Sequence, residues 1–532
     1  MTPEPAHPGA VADRPPRAGL VLTTLTVGAI VANINLSIGN VALPDIGRDL
    51  GASQVQQTMV ASMFTLGLAA SVLYLGAIGD RYGRKLLLLA GAALSIPTSL
   101  ASAFAPNIEV LVAARLLGGL AAGLLFPTTL SLISALWRGK ALTRAISMWS
   151  GLGGAAAAIG SLVGGALLVH FWWGSVFLLT APFALLVFVA AWIVVPWHAG
   201  EERVAVDHVG GVLSVVAVAL LVTGIQRLPN GFTAAMGVQF AVAVAFFALF
   251  IWRQRRAPRP LVDLKAASVP TFWVAAVAGT ITFGSLIGAM FLGQQFTQNV
   301  LGYDALTAAI VNLPSPICMM ITAVAAGKII VQRGSRDTFA GGLVFVALGF
   351  VAMAFWSSSA GVGLVLGSYA LVGMGVGLAA TAASHTLMAS LPVSRAGMGS
   401  AFTDLTRDFG GAIMQALMGT VLAVVYADNL VSAFNKLSPQ EAAQLSQSAA
   451  QQIVGSYEGA TQVAAGFPQA QAHELVAAAA NAFTEGKTVA YLLGLGLTVV
   501  AFVLVLWKYP GKSDEQAFFA QIEQLDRQQS RA

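Results

Sequence analysis

The fold class this sequence predicts is an all-α membrane protein with many spans, and three observations predict it. Hydrophobic residues make up 57% of the 532 residues and charged residues only 10%, against about a quarter charged in ordinary globular chains. The apolar residues gather into charge-poor runs of roughly 20 residues, the length a helix needs to cross a bilayer. Lys and Arg concentrate in alternate loops between those runs. In lipid every backbone polar group must be satisfied internally, which leaves helices or a closed barrel. Barrel strands would read as short alternating segments.

The formal charge of +5 suggests nucleic acid as a partner. The basic residues are scattered through short hydrophilic gaps and form no patch, so no nucleic-acid partner is expected. A single cysteine, Cys318, excludes an intrachain disulfide and a Cys-rich metal site. No metal-spaced His cluster, nucleophile motif or nucleotide-binding Gly-rich loop is present, so neither an enzyme nor a cofactor is expected.

Fourteen spans are expected, at residues 20–42, 56–78, 86–105, 109–134, 145–169, 175–196, 209–226, 233–252, 271–292, 306–327, 338–357, 361–383, 398–426 and 487–507. Arg14 and Arg17 precede the first run as they would in a signal peptide, but so many spans follow that it reads as a retained helix. Arg81, Arg84, Lys85, Arg138, Lys140, Arg144, Arg253, Arg255, Arg256, Arg259, Lys265, Lys328, Arg333 and Arg336 fall on one side; the other side has Arg48, Arg227, Lys436 and Lys487. The excess of positive charge marks the cytoplasmic side, so both termini are expected there. The expected organisation is a tail at 1–19, a six-helix lobe at 20–196, a two-helix insertion with its loops at 197–269, a second six-helix lobe at 270–507 and a tail at 508–532. An extracytoplasmic insertion at 427–486 carries Val463, Phe467, Leu475 and Val476 at helical spacing; helices over the outer mouth and a floppy loop both fit.

The strongest local signal follows span 2: Gly76-Ala-Ile-Gly79-Asp80-Arg81-Tyr82-Gly83-Arg84-Lys85. Its glycines permit a tight turn between helices, and its cations suit the cytoplasmic headgroup level. After span 10, Arg333-Gly334-Ser335-Arg336 occupies the matching place, which suggests two related halves. Arg115 lies inside span 4, where it is either functional or snorkelling outward. In span 13, Asp404 and Asp408 share a helical face with Arg407. Two carboxylates around one cation leave surplus negative charge, either in a structural cluster or at a proton or substrate site. Gly160, Gly164 and Gly165 let span 5 approach a neighbour closely, whether static or sliding. Asn33, Asn35, Ser37 and Asn40 form a polar stripe on span 1, facing a cavity or bonding other helices. Gln294, Gln295 and Gln298 suit an outer vestibule, and His170 and His385 read as structural.

The basic loop after span 2 resembles the signature of the major facilitator superfamily, and the span count resembles its fourteen-helix drug:proton antiporter branch. Asn40-Val41-Ala42-Leu43-Pro44-Asp45-Ile46, Arg115-Leu116-Leu117-Gly118-Gly119 and Gly160-Ser161-Leu162-Val163-Gly164-Gly165 are similar to that branch's motifs in helices one, four and five. His170–Phe177 and the late insertion resemble exporters of quaternary ammonium compounds and methyl viologen. The resemblance implies the major facilitator fold, two six-helix lobes plus two extra helices, working by alternating access. It implies multidrug efflux of lipophilic small molecules by proton antiport, from a monomer in a bacterial cytoplasmic membrane. It also implies that Arg115 couples proton release to helix movement. The chain departs from the branch at three places. Asn35 and Ser37 stand where an Asp and a Thr are usual, Gly118 replaces a Gln, and Ser161 replaces a Pro. With Asn35 unable to carry a proton, Asp404 and Asp408 become the expected proton site, and neutral or weakly anionic substrates are expected to be carried at least as well as dications.

Overall fold

The structure is a computed structural model that describes residues 15–137, 139–197, 206–258, 260–262, 264–391, 396–434 and 447–529. Among them the regular structure is helical. In chain order the helices are α1 (Ala18–Val41), α2 (Leu43–Leu50), α3 (Gln54–Tyr82), α4 (Arg84–Ala103), α5 (Ile108–Leu136), α6 (Gly139–His170), α7 (Gly174–Leu178), α8 (Thr180–Val194), α9 (His208–Arg227), α10 (Ala234–Arg256) and α11 (Leu264–Ala267). The second half has α12 (Pro270–Asn299), α13 (Ala305–Asn312), α14 (Pro314–Arg333), α15 (Ser335–Ala354), α16 (Val362–Ala389), α17 (Ala396–Phe434), α18 (Gln447–Gly455), α19 (Tyr457–Ala464), α20 (Gln469–Lys508) and α21 (Lys512–Gln529). Thirteen helical stretches of the described residues are long and apolar enough to span a membrane, and Ala156–His170 in α6 is a shorter apolar stretch. Every expected span has a helix at its place.

Local sequence sets the helix ends. Ser53 and Gln56 form a reciprocal capping box at the start of α3, while Asn107, Asp207, Thr233, Asp304 and Ser456 cap α5, α9, α10, α13 and α19 with their side-chain oxygens. Gly83 (φ 118°) separates α3 from α4, and Gly334 (φ 90°) separates α14 from α15. Both adopt backbone that L-residues rarely enter, and both sit at the same point of the two halves.

One lobe packs α1, α3, α4, α5, α6 and α8; the other packs α12, α14, α15, α16, α17 and α20. The basic turns tie each lobe internally. Lys85 donates to the carbonyls of Trp192 (2.9 Å) and Val195 (2.6 Å) at the end of α8. Arg336, at the same distance after its glycine, donates to the Leu506 carbonyl near the end of α20. A cation there meets the negative end of the helix dipole and fills carbonyls that the helix leaves unpaired. Lys85 is therefore buried against the end of α8.

Lys487 is a correction. It was expected in a loop, but α20 begins at Gln469 and carries Lys487 inward, where Nζ donates to Met353, Ala354 and Trp356 carbonyls at the end of α15 (3.1, 3.3 and 2.7 Å). The Ala-rich stretch before it continues the helix instead of breaking it.

α9 lies between the lobes. Gln226 donates to Ser62 of α3, and Thr420 of α17 donates to the Ile225 carbonyl (3.0 Å). α10 packs on α9, and Asp207 accepts from both Arg253 (2.9 Å) and Gln254 (3.1 Å) to hold their shared end. The described part of the 427–486 segment is mostly helical, in α17, α18, α19 and the start of α20, with short breaks at 456 and 465–468; residues 435–446 lie outside the described residues. The end of the molecule carrying α18 and α19 is called the insertion face below, and the opposite end, where α1 begins and α21 lies, the tail face.

Gly83→Ala and Gly334→Ala each force a side chain onto strained backbone, a cost of ~1–3 kcal/mol. Both are expected to lower the melting temperature in detergent. Gly76→Ala, whose added methyl would meet nothing within 4 Å, is expected to leave it unchanged. Equal melting temperatures for all three variants would contradict this account of the turns.

Candidate functional site

The span-13 charges converge where the lobes meet. On α17 the Arg407 guanidinium reaches Asp408 through Nε–Oδ1 (2.9 Å) and Nη2–Oδ2 (3.4 Å), and Asp404 Oδ1 lies 3.9 Å from Nη1. The side chains are 1% exposed at Asp408, 12% at Asp404 and 26% at Arg407, so Asp408 is sealed and the other two border open space. Arg407 also lies over the Phe126 ring of α5, 4.4 Å from its centroid, on the opposite lobe. Phe126 in turn packs on Trp149 of α6 (5.2 Å), whose indole donates to Thr129 (3.0 Å). Of the buried acids among the described residues, namely Asp207, Asp404, Asp408, Glu458 and Glu515, only Asp404 and Asp408 lie inside a spanning helix. Such a cluster becomes neutral on binding one proton and carries one surplus negative charge on releasing it, while Arg407 keeps one carboxylate partnered throughout.

Arg115 does not snorkel. It is 2% exposed; Nε donates to the Val60 carbonyl (3.3 Å) and Nη2 to the Asn35 carbonyl (3.1 Å), joining α5 to α3 and α1. Its guanidinium lies over Phe64 (4.4 Å) and Phe177 (5.3 Å). Two aromatic faces and two carbonyls thus take the place of an acid. Gly39 makes room, since a Cβ there would sit 2.6 Å from Nη2. One turn on, Gly119 lets α5 cross α3 at contact distance, its Cβ position lying 2.1 Å from the Phe64 carbonyl oxygen.

The span-1 stripe resolves residue by residue. Asn33, Asn35 and Ser37 bond carbonyls of their own helix (3.0, 3.5 and 3.1 Å). Asn40 accepts from Gln415 of the other lobe (3.5 Å). Asn35 thus meets Arg115 through its backbone, not its side chain. Gly160 and Gly164 of α6 face Ser37, Ile34 and Ile38 of α1 within the lobe, whereas Gly165 faces Ala305 and Leu306 of α13 across the interface. In the basic turn, Arg81 lies over Tyr82 (5.1 Å), and Arg84 donates to the Ser131 carbonyl (3.1 Å). Gly79 lies in the last turns of α3, and the Asp80 side chain is outside what is described.

The remaining cross-lobe bonds lie towards the insertion face. Gln54 of α3 donates to Gln295 of α12 (2.8 Å), Gln298 donates to the Val41 carbonyl (3.1 Å), and Thr65 donates to Gln415 (2.7 Å). The glutamines expected in an outer vestibule, Gln294, Gln295 and Gln298, are instead buried, and Gln295 and Gln298 clamp the lobes together. Glu458 of α19, unremarked in the sequence, accepts from Gln57 of α3 (2.8 Å) and Asn299 of α12 (2.7 Å). Nothing local distinguished it: a lone Glu in a polar insertion reads as solvated, and its partners are 401 and 159 residues away.

Residues 25–414 match the Major Facilitator Superfamily, and the chain belongs to that family. With its spanning helices, that defines an integral membrane transporter and not an enzyme. The chain is similar to the multidrug efflux pump LfrA of Mycolicibacterium smegmatis, 34% identical over 494 residues that cover 92% of this chain and 96% of that one. It is 28% identical to the methyl viologen resistance protein SmvA of Salmonella typhimurium, over 92% and 98%. Among solved structures it resembles a bacterial homologue of the lysosomal transporter Spinster in an inward-facing, unoccupied conformation. There the TM-score is 0.64 at 14% identity, over 95% and 98% of the chains, which supports the fold.

Lysine cannot reproduce the two-carbonyl fork of Arg115. Arg115→Lys and Arg115→Met are both expected to lower transport by roughly tenfold or more, an effect of ~1.4 kcal/mol, at normal abundance in the membrane. Full transport by Arg115→Met would reduce the residue to packing.

Proposed function

We propose that the protein exports lipophilic small molecules across a bacterial cytoplasmic membrane by proton antiport, with the insertion face outward and both tails in the cytoplasm. The observation that carries this reading is the Asp404–Arg407–Asp408 cluster, the one pair of buried acids in a spanning helix among the described residues, set against the aromatic wall of the other lobe. The names of the relatives support drug efflux, and the alternating basic loops support the orientation. The cross-lobe bonds support a resting form closed on the outer side. In the cycle, substrate enters between the lobes from the inner side, beside Phe126, Trp149 and Arg407. The lobes rock and the outer clamps part. A proton taken up by the carboxylate pair on the outer side resets the transporter. Arg115 and Asn35 transmit the rocking through α1, α3 and α5, and Gly160 and Gly164 let α6 and α1 move as one unit. The residues Gly79, Asp80, Gly83 and Arg84 hold the inner turn through which α3 and α4 swing. The surplus at the cluster is a single negative charge, so neutral lipophilic compounds are carried at least as well as dications. The protein works as a monomer.

In inverted membrane vesicles energised with a pH gradient, uptake of a lipophilic fluorescent dye tests this reading. Asp408→Asn is expected to cut gradient-driven transport by about tenfold or more at equal membrane abundance, while Asn35→Ala keeps most of it. Unchanged transport and pH dependence in Asp408→Asn would show that the proton site lies elsewhere.

A further inference from the structure

We propose that Glu458 is a second proton-binding site, on the outer side of the transporter, and that its protonated form holds the outer mouth shut. The inference uses the two-lobed, alternating-access reading and goes beyond the span-13 cluster.

The geometry is specific. Glu458 lies in the first turn of α19, outside the spanning helices, and is 1% exposed. One carboxylate oxygen accepts from Gln57 of the first lobe, the other from Asn299 of the second, so a single side chain bridges both lobes. Gly47 of α2 makes the bridge possible: a Cβ there would sit 2.5 Å from Gln57 Nε2 and 3.2 Å from the Glu458 carboxyl carbon. Opening the mouth must break at least one arm and expose the carboxyl to water.

Among the described residues no cation pairs with the carboxyl directly. Arg48 on α2 acts on it only through space and is paired with Asp45 (3.2 Å), while Asp49 accepts from Trp173 (2.6 Å). From α17, Tyr426 donates to the Ile453 carbonyl (3.1 Å), and Tyr457 is adjacent in sequence. On α20, Glu485 is held by Asn429 and Lys487 by the α15 carbonyls. Gln57 and Asn299 contribute neutral amides. Burial therefore outweighs the bonds from Gln57 and Asn299 and the distant Arg48 charge, and pushes the carboxyl above its ordinary value of 4.5. A neutral carboxyl also has a proton to donate. Gln57 Oε1, on the amide whose Nε2 donates to Glu458, is buried with no hydrogen-bond partner among the described residues, so turning that amide end for end would offer an acceptor.

The sign follows by linkage. The closed mouth holds Glu458 with a raised affinity for the proton, and the open mouth returns it to water. Protonation thus favours closure: the stabilisation is complete below the ordinary carboxylate value and is lost as pH rises through the closed-state value. In an exporter facing an acidic exterior, outside protons would close the outer mouth after substrate leaves and speed the return to the inward-open form.

The test reads mouth geometry and not transport, so it fails independently of the export reading. Nitroxide labels at Ala101→Cys and Ser358→Cys, exposed sites on the insertion face of the two lobes, are placed in a Cys318→Ser background. Pulsed EPR distances in nanodiscs are recorded from about pH 5 to pH 8. With Glu458 intact, the closed-to-open ratio is expected to fall by roughly threefold or more as pH rises. Glu458→Gln, a neutral mimic, should lose that dependence and stay closed, and Glu458→Asp should keep it with a moved midpoint. A Glu458→Gln profile matching that of Glu458, or a closed fraction that grows with pH, overturns the proposal. If Glu458→Gln does not fold, Glu458→Asp decides alone: a moved midpoint supports the site and an unmoved one overturns it.

Discussion

Among the described residues, each buried cation inside a lobe is held by backbone carbonyls, and the rest of the structure depends on that arrangement. Lys85 sits on the end of α8, Lys487 on the end of α15, and Arg115 between the carbonyls of Val60 and Asn35. At Lys85 and Lys487 the carbonyls are unpaired helix ends that carry partial negative charge and need donors, so the cation satisfies both partners without an acid. Arg115 meets carbonyls inside α1 and α3. Arg336, half-exposed, repeats the pattern at the end of α20. The repetition of a glycine followed two residues later by a cation in both halves makes each lobe a closed electrostatic unit. Removing one partner of such a buried contact costs more than the contact is worth, because the other partner is left unsatisfied.

With lobe interiors settled in this way, negative charge is concentrated at the lobe boundary. Asp404 and Asp408 face Phe126 of the other lobe across Arg407, and Glu458 spans the boundary beyond the spanning helices. Other polar contacts between lobes come from amides and a threonine, beside the bare backbone of Gly165 against α13 and apolar packing of Met63 and Leu66 with Ala412 and Ala416. Neutral hydrogen bonds of this kind contribute ~0.5–1.5 kcal/mol each, enough together to hold a closed face and weak enough to be exchanged in a transport cycle. α9 reaches both lobes through Gln226 and Thr420, so the spacer pair follows the motion instead of floating beside it.

The sequence made the spans legible because length and apolarity are imposed by the bilayer and need no knowledge of partners. It also showed the two glycine turns, since positive φ leaves a glycine where nothing else fits, and the helical face shared by Asp404, Arg407 and Asp408. Distance along the chain hid the rest. Lys487 looked like a loop residue because the polar, Ala-rich start of α20, with Leu475 and Val476 as its few large apolar residues, is too polar to read as part of a span. The carbonyl partners of Lys85, Trp192 and Val195, were hidden because they lie more than a hundred residues on. The stripe on span 1 could be seen, but not that Asn33, Asn35 and Ser37 turn back onto their own helix while Asn40 alone of the four reaches Gln415. Glutamines 54, 57, 295 and 298 are ordinary polar residues until the fold sets them opposite one another.

The account places proton exchange in span 13 of a chain whose first helix carries Asn35 in place of an acid. The most direct test is substrate-induced proton movement in proteoliposomes, recorded with an internal pH dye under an imposed pH gradient and across ligands matched except for charge. Addition of a neutral lipophilic substrate is predicted to collapse the gradient, at a rate no lower than that for a dication. Transport of the same ligands with no accompanying proton flux would contradict the account.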